Sequence, residues 1–298
     1  MKKYKVAGIG EILWDMLPDG KKLGGAPANF AYHTQSMGAN SIVISAVGDD
    51  PLGKEILDQL NLIHLETSYI EISPFHPTGT VEVKLDSSGK PDFIIHKDVA
   101  WDYIPFTQNV KDLAEELDAI CFGSLAQRSD ISRQSIGQML RSTSEHCLRI
   151  FDINLRQEYY NFDIINESLR YANCLKLNED EFPLVAEMFS ISGSEEYILN
   201  EIITRFELKI IALTKGEEGS ILHTREESSF LKSVKVNVID TVGAGDAFTA
   251  ALGLGFLQNL SLQKIHEQAT HLSAYVCTQN GATPVLPESM LEELGVQN

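Results

Sequence analysis

Residues 240–248, DTVGAGDAF, place three small residues and a carboxylate at the start of an apolar run. Gly243, Ala244 and Gly245 have so little side-chain bulk that a ligand could approach the backbone. The apolar residues that follow predict a helix whose first N–H groups and positive dipole end would converge on an anion. Asp246 could then take a proton from a hydroxyl while the amides stabilise charge on a transferring phosphoryl group. Taken alone, the stretch is equally compatible with a helix cap and a tight turn.

Two further stretches have the composition of ligand-binding loops. GGAPANFA, from Gly24, allows close backbone approach at Gly24 and Gly25, and Asn29 offers both a donor and an acceptor to a polyhydroxylated ligand. TKGEEGS, from Thr214, follows an apolar strand and could hold a nucleotide. A capping turn and a hairpin turn explain each stretch equally well when it is considered singly.

Two other glycine-bearing stretches are weaker candidates. GDDPLGKE, from Gly48, is similar to a phosphate-binding P-loop, but Glu55 stands where Ser or Thr must bind magnesium. We therefore interpret it as a turn that caps the next helix. GIGEIL, from Gly8, lacks the third glycine of a dinucleotide fingerprint, which disfavours an oxidoreductase.

The elements that must position these residues alternate between strands and helices, which predicts an α/β fold with a mainly parallel central sheet. The candidate core strands are KVAGIGEI from Lys5, SIVISAV from Ser41, DAICFGS from Asp118, LRIFDIN from Leu148, CLKLN from Cys174 and LKIIALT from Leu208. Residues 243–258 and 261–279 predict two consecutive helices, with Ser261 as the N-cap of the second.

Two regions interrupt this alternation. Residues 13–24 are expected to be irregular, and residues 66–97 predict strands without helices. A small antiparallel sheet attached to an α/β domain has a second face that is solvated or must cover something. We expect these two ranges to form a lid or a dimer contact.

The composition limits the classes of partner. The 298 residues carry a formal net charge of −18, which does not favour nucleic acid or an anionic membrane surface as a partner. No run approaches a membrane span, and Glu11 and Asp15 interrupt the stretch where an export signal would need an apolar core. We expect a cytoplasmic protein whose four separated cysteines are free thiols.

Taken together, GGAPANFA with GDDPLG and the later DTVGAGDAF resemble the two signatures of the ribokinase-like (PfkB-type) carbohydrate kinases. The resemblance extends from the first strand to GATPVLP near the end, and GEILWDMLP and DINLRQEYY are most similar to fructokinases. It implies that residues 1–298 form a single domain. The resemblance also implies a three-layer α/β/α arrangement with a small β-sheet lid formed by about 13–24 and 66–97.

The resemblance also implies roles for the residues at the sugar and the transferred phosphate. Asp246 would be the catalytic base, and Gly243, Ala244 and Gly245 would form the anion hole for the γ-phosphate of ATP. The sugar would be bound by Asp15, Gly24, Gly25, Asn29 and Arg156. A surface salt bridge is the alternative role for Arg156.

On the nucleotide side the resemblance implies contacts from Asn178, Thr214, Gly216, Gly219 and Asn280. Glu181, in the NEDE stretch, would hold Mg²⁺ through water, which suits an ion that keeps several waters. A helix N-terminus with an acidic first turn is a compatible interpretation of the same stretch. The carbonyls of Asp240 and Val242 would contribute to a K⁺ site.

The implied activity is ATP-dependent phosphorylation of a primary hydroxyl of a small sugar, with fructose as the favoured substrate and fructose 6-phosphate as product. Ribose and the sugar acid 2-keto-3-deoxygluconate remain alternatives, the latter because Arg156 could bind a carboxylate. A regulator that binds sugar without transfer is the competing class of function. We expect a homodimer formed through the lid, since exposed strand edges need a cover.

Overall fold

A computed structural model describes residues 3–17, 20–85 and 91–296. Within these ranges the strands are β1 (Lys5–Ile9), β2 (Leu13–Leu17), β3 (Gly20–Gly24), β4 (Asn40–Gly48), β5 (Ile70–Ser73), β6 (Gly79–Leu85), β7 (Pro91–Ile95), β8 (Ala119–Phe122), β9 (Leu148–Asp152), β10 (Cys174–Asn178), β11 (Ile210–Thr214), β12 (Ser220–His223) and β13 (Ser228–Leu231). The α-helices are α1 (Ala26–Ser36), α2 (Pro51–Leu62), α3 (Gln108–Glu116), α4 (Asp130–Ser142), α5 (Phe162–Tyr171), α6 (Glu181–Met188), α7 (Glu195–Arg205), α8 (Ala244–Leu257), α9 (Leu262–Cys277) and α10 (Glu288–Glu293). Short 3-10 helices cover Ala100–Tyr103, Leu125–Arg128 and Gly216–Glu218.

The large sheet of the described residues has the strand order β13-β12-β11-β10-β9-β8-β1-β4-β5. All neighbours from β11 to β5 run parallel, and β12 and β13 add an antiparallel edge. The six strand segments expected from the sequence all lie in this sheet, as β1, β4, β8, β9, β10 and β11. The α/β fold with a mainly parallel sheet is therefore confirmed.

Helices cover both faces of the large sheet. Successive strand residues alternate between the faces, so Val6 packs into one core and Ala7 into the other. The Val6 core contains residues of α8 and α9 together with Phe30 of α1. The Ala7 core contains residues of α3, α4, α5 and α7. This is the expected three-layer arrangement. A third buried cluster contains residues of α1, α2, β4 and β5.

A second sheet of order β3-β2-β6-β7 lies beside the main domain. The expectation of irregular structure over residues 13–24 was wrong, because Leu13–Leu17 and Gly20–Gly24 form an antiparallel pair. β6 adds parallel to β2, and β7 adds antiparallel to β6. Within the range 66–97, β5 pairs with β4 in the large sheet and is not part of the small one. Residues 18–19 and 86–90 of the two expected lid ranges lie outside the described residues.

The last two long helices follow the sequence expectation closely. α8 begins directly after Gly243, and Ser261 caps α9 by accepting a hydrogen bond from the Lys264 backbone N–H at 3.3 Å. α8 is buried on nearly all sides, which explains its apolar composition. None of the helices in the described part of the chain combines the length and apolar character needed to span a membrane.

Candidate active site

The N-terminus of α8 has the geometry of an anion-binding site. Gly243 is the N-cap and has a left-handed backbone, with φ of +79°. A Cβ atom on Gly243 would lie 2.6 Å from Ala282 Cα, so any side chain would displace the loop that covers the helix start. The Ala244 N–H donates to the Thr241 carbonyl oxygen at 3.3 Å. The next N–H groups of the first turn lack intrahelical partners, as at the start of any helix, and could bind an anion.

Asp246 lies in the first turn of α8 and is held by α1. Asn29 Nδ2 donates a hydrogen bond to Asp246 Oδ2 at 2.8 Å, which joins the two glycine-rich motifs. Burial and the negative charge of Asp152 raise the pKa of Asp246 to about 7, against the opposing effects of Asn29, Lys176 and Arg156. A carboxyl group that titrates near neutral pH is suited to accept a proton from a hydroxyl.

Several residues expected to bind sugar come together where the small sheet meets the N-terminus of α1, the helix that contains Asn29. Asp15 of β2 lies against Gly24, since a Cβ on Gly24 would be 2.5 Å from Asp15 Oδ2. Gly25 has φ of +116° and packs on the backbone of Glu11, where a Cβ would lie 2.4 Å from the Glu11 carbonyl oxygen. The glycines thus let the small sheet, β1 and α1 meet without intervening side chains.

Arg156 extends into the same region from the loop after β9. Its Nη1 donates a hydrogen bond to the carbonyl oxygen of the preceding residue, Leu155, at 3.1 Å. Burial raises the pKa values of Glu11, Asp15 and Asp246, and the positive charge of Arg156 opposes each rise. The guanidinium of Arg156 is therefore near all three carboxyl groups, and its role in sugar binding stays a prediction.

Asn178 and Glu181 form a reciprocal cap at the start of α6. Asn178 Oδ1 accepts the Glu181 backbone N–H at 2.9 Å, and Glu181 Oε2 accepts the Asn178 N–H at 2.8 Å. Glu181 Oε1 accepts a third N–H, from Leu155, at 2.8 Å. Both carboxylate oxygens of Glu181 already accept backbone hydrogen bonds. Glu181 is therefore better suited to hold Mg²⁺ through the water molecules of the ion than to bind it directly.

Thr214 and the following loop lie beside this cap. Thr214 pairs with Asn178 in the β10–β11 register, and a Cβ on Gly216 would lie 3.1 Å from Glu179 Oε1. Gly219 has φ of +116° and leaves no room for a side chain against the Leu231 carbonyl. No hydrogen bond in the described ranges joins the exposed Asn280 to this loop.

The segment expected to contribute to a K⁺ site is tied to the loop after α9. Asp240 Oδ1 accepts the Val242 N–H at 3.1 Å, and Asp240 Oδ2 accepts the Gly281 N–H at 3.1 Å. Lys22 of the small sheet also reaches Asp240 Oδ2 at 3.3 Å. The role of the Asp240 and Val242 carbonyls as cation ligands stays a prediction.

Four charged or polar residues of the site were missed at the sequence level: Glu11, Asp152, Lys176 and Thr249. Glu11 is 3% exposed, its Oε2 has no hydrogen-bond partner among the described residues, and burial raises its pKa to about 7. Lys176 Nζ and Asp152 Oδ1 form a buried ion pair at 3.0 Å. The available signal was the presence of a lysine and an aspartate within the apolar strand runs LRIFD and CLKLN.

Comparison with known proteins agrees with this geometry. A family model described as pfkB family carbohydrate kinase matches residues 19–289. The crystal structure of an uncharacterised sugar kinase from Pyrococcus horikoshii in complex with ATP has a TM-score of 0.82 and 29% identity, covering 98% of this chain and 99% of that one. A fructokinase from Salmonella typhimurium is 28% identical, over 95% of this chain and 96% of that protein.

A relative with a different named substrate has comparable similarity. An ATP-dependent 6-phosphofructokinase from Thermoanaerobacterium thermosaccharolyticum is 28% identical, over 96% of this chain and 92% of that protein. The comparisons therefore define the family of this chain much better than they define its substrate. The family match over most of the chain, on a fold that joins both signatures at Asp246, leads to one conclusion: this chain belongs to the PfkB family of carbohydrate kinases.

Proposed function

We propose that this protein transfers the γ-phosphate of ATP to a primary hydroxyl of a small sugar, and that its preferred reaction converts fructose to fructose 6-phosphate. The observation that carries the proposal is the contact between Asn29 and Asp246 at the N-terminus of α8. It places a carboxylate with a pKa near neutrality beside backbone N–H groups that can hold an anion. Named fructokinases among the relatives support the choice of fructose.

In the proposed reaction Asp246 accepts the proton of the sugar hydroxyl while the hydroxyl oxygen bonds to the γ-phosphorus. The bond from that phosphorus to the ADP oxygen breaks, and ADP leaves with the electron pair. The backbone N–H groups of Gly243, Ala244 and Gly245 stabilise the negative charge on the phosphoryl oxygens. Asn29 orients the base and, with Asp15, Gly24, Gly25 and Arg156, binds the sugar.

ATP would bind along the C-terminal ends of β10 and β11, against Thr214, Gly216 and Gly219, with Asn280 at the adenine end. Asn178 and Glu181 would hold Mg²⁺ through water, and the carbonyls of Asp240 and Val242 would contribute to a K⁺ site. Magnesium neutralises phosphate charge when it is bound. The small sheet is the proposed lid, because it provides Asp15 and would exclude water from the phosphoryl group.

The electrostatics of Arg156 favour a neutral sugar over a sugar acid or a sugar phosphate. Its positive charge is already shared among Glu11, Asp15 and Asp246. An anionic substrate would have to compete for this guanidinium with Asp15 and with the ionised fraction of Glu11 and Asp246. Fructose and ribose avoid this repulsion, whereas 2-keto-3-deoxygluconate and fructose 6-phosphate do not.

The test is ADP release with ATP and Mg²⁺ across fructose, ribose, glucose, 2-keto-3-deoxygluconate, fructose 6-phosphate and adenosine. Asp246→Asn is the parallel control for background ATP hydrolysis. Turnover that is greatest with fructose and lost in the variant is expected. Turnover with another acceptor would keep the mechanism and change the substrate, and binding of a sugar without any turnover would indicate a non-catalytic regulator.

We further propose that the protein acts in the cytoplasm as a homodimer formed through the small sheet. The argument is that β3 and β7 are the edge strands of a four-stranded sheet and present backbone groups that another chain can cover. The measurement is the mass in solution by light scattering. A monomeric mass at working concentration would contradict the dimer.

A further inference from the structure

Lys176 is a buried cation at the C-terminal end of β10. Its side chain is 9% exposed, and its Nζ donates to Asp152 Oδ1 at 3.0 Å. The other oxygen of that carboxylate, Oδ2, accepts the Thr249 hydroxyl of α8 at 2.8 Å. Asp152 is thereby fixed from two sides, and the ammonium is held in a defined position between the sheet and α8.

That position is beside the backbone of the anion hole. A Cβ atom on Gly245 would lie 3.1 Å from Lys176 Nζ, so the ammonium faces the Gly245 Cα directly. Burial alone would lower the pKa of Lys176, but the carboxylates of Asp152, Glu181 and Asp246 outweigh it and raise the pKa. The side chain therefore stays charged at the place where phosphoryl oxygens would bind.

A purely structural ion pair does not account for this arrangement. A lysine has three N–H donors, and within the described ranges Asp152 is the one hydrogen-bond acceptor of Nζ. Removing two charges from water is costly, and an apolar pair would stabilise a core at least as well. The remaining donors need an acceptor, and an anion at the N-terminus of α8 would provide it.

We propose that Lys176 contacts the transferring phosphoryl group and donates a hydrogen bond to one of its oxygens, while Asp152 and Thr249 hold the ammonium in place. This inference rests on the proposed kinase function. Lys176 keeps its protons throughout: the hydroxyl proton goes to Asp246, the new O–P bond forms at the sugar, and the bond to ADP breaks. Its role is to stabilise charge next to the Gly245 backbone.

The experiment compares Lys176→Met with the wild type by calorimetric binding of ADP and of the non-hydrolysable ATP analogue AMP-PNP, both with Mg²⁺. The variant is expected to bind AMP-PNP about tenfold or more weakly while its affinity for ADP changes little, because the lost hydrogen bond belongs to the γ-phosphoryl group. In steady-state assays kcat should fall more than KM for the sugar rises.

Two further variants separate this role from a structural one. Thr249→Val removes a hydrogen bond that positions Asp152 but keeps the ammonium, so it should lower the melting temperature and lower the ratio of AMP-PNP to ADP affinity much less than Lys176→Met does. If Lys176→Met alone does not fold, the double variant Asp152→Asn with Lys176→Met removes both buried charges and gives the same comparison.

The outcomes distinguish the two proposals. An unchanged affinity ratio and a kcat within about twofold of wild type in a folded Lys176 variant would overturn the role of Lys176 while leaving the kinase function intact. Wild-type protein that binds neither nucleotide and turns over no acceptor would overturn the kinase function, and the role of Lys176 with it.

Discussion

Replacing Asp246 with Asn should make the protein inactive and, above neutral pH, more stable. Burial and repulsion by Asp152 raise the pKa of Asp246 from 3.8 to about 7. A carboxyl group whose pKa is higher in the folded protein binds its proton more tightly there than in the unfolded chain. The free energy of unfolding therefore falls as the pH rises from about 4, where the unfolded chain begins to ionise, to about 7, and the loss is complete above the folded pKa.

The size of the effect follows from the shift. A change of about three pKa units at 1.36 kcal/mol each sets an upper limit of about 4 kcal/mol at pH 8. Asparagine keeps an oxygen that can accept the Asn29 hydrogen bond, so the local contact survives. Asp246 is half-buried, and solvent access weakens the electrostatic effect, so we expect about 1–4 kcal/mol.

The assay is thermal or urea unfolding of both proteins between about pH 4 and pH 8. The stability gained by Asp246→Asn should be largest at pH 8, shrink as the pH falls below about 7, and be small near pH 4, where the wild-type carboxyl group is neutral in the folded protein and only about half ionised in the unfolded chain. Turnover should fall about 100- to 10,000-fold, as expected for loss of a general base.

Asp50→Asn is the matched control, because the pKa of Asp50 is shifted in the opposite direction. Its carboxylate accepts hydrogen bonds from Gly53 N at 2.8 Å and Thr78 N at 2.8 Å, which outweigh its burial and lower its pKa. This variant should be less stable than wild type at pH 8. Destabilisation of the Asp246 variant at pH 8 would refute the electrostatic reasoning, and near-wild-type turnover would remove the assignment of the base.

Two further outcomes test the same site. The value of kcat/KM for the sugar should rise with pH and level off above about 7, as Asp246 loses its proton; a profile that is flat across this range would contradict its role as base. Gly243→Ala should lose both stability and activity through its clash with Ala282, whereas Gly281→Ala, at the same φ of +79° but with nothing within 4 Å, tests the backbone strain alone. Equal losses in the two glycine variants, measured by thermal unfolding and ADP release, would exclude the clash as the cause.

The sequence predicted the core of the fold because buried parallel strands are continuous apolar runs. SIVISAV and LKIIALT could be placed without knowledge of their partners. The small sheet was harder to predict, because β2 and β3 are five residues each and the sequence PDG at positions 18–20 has the composition of a turn. Which sheet β5 joins depends on its register with β4, a tertiary contact that no local pattern contains.

The residues of the site likewise fall into those that the sequence predicted and those that it did not. Gly243, Asp246 and Asn29 belong to contiguous motifs whose backbone requirements are visible in the sequence. Lys176, Asp152 and Glu11 are single charged residues on separate strands or strand ends, and only the packing of β1, β9 and β10 around α8 brings them to one place. Their role depends on mutual distance, which a single sequence does not record.

A negatively charged carboxylate at the N-terminus of α8 would repel the phosphate that the end of the helix attracts. The raised pKa of Asp246 resolves this conflict. In the proposed reaction Asp246 would lose its charge on taking the hydroxyl proton while the phosphoryl oxygens bind the neighbouring N–H groups, so repulsion within the site would fall as the reaction proceeds. The same burial and repulsion by Asp152 that lower the stability of the resting protein would also make Asp246 a stronger base. If Asp246 is the base, stability and activity should therefore move in opposite directions when it is replaced.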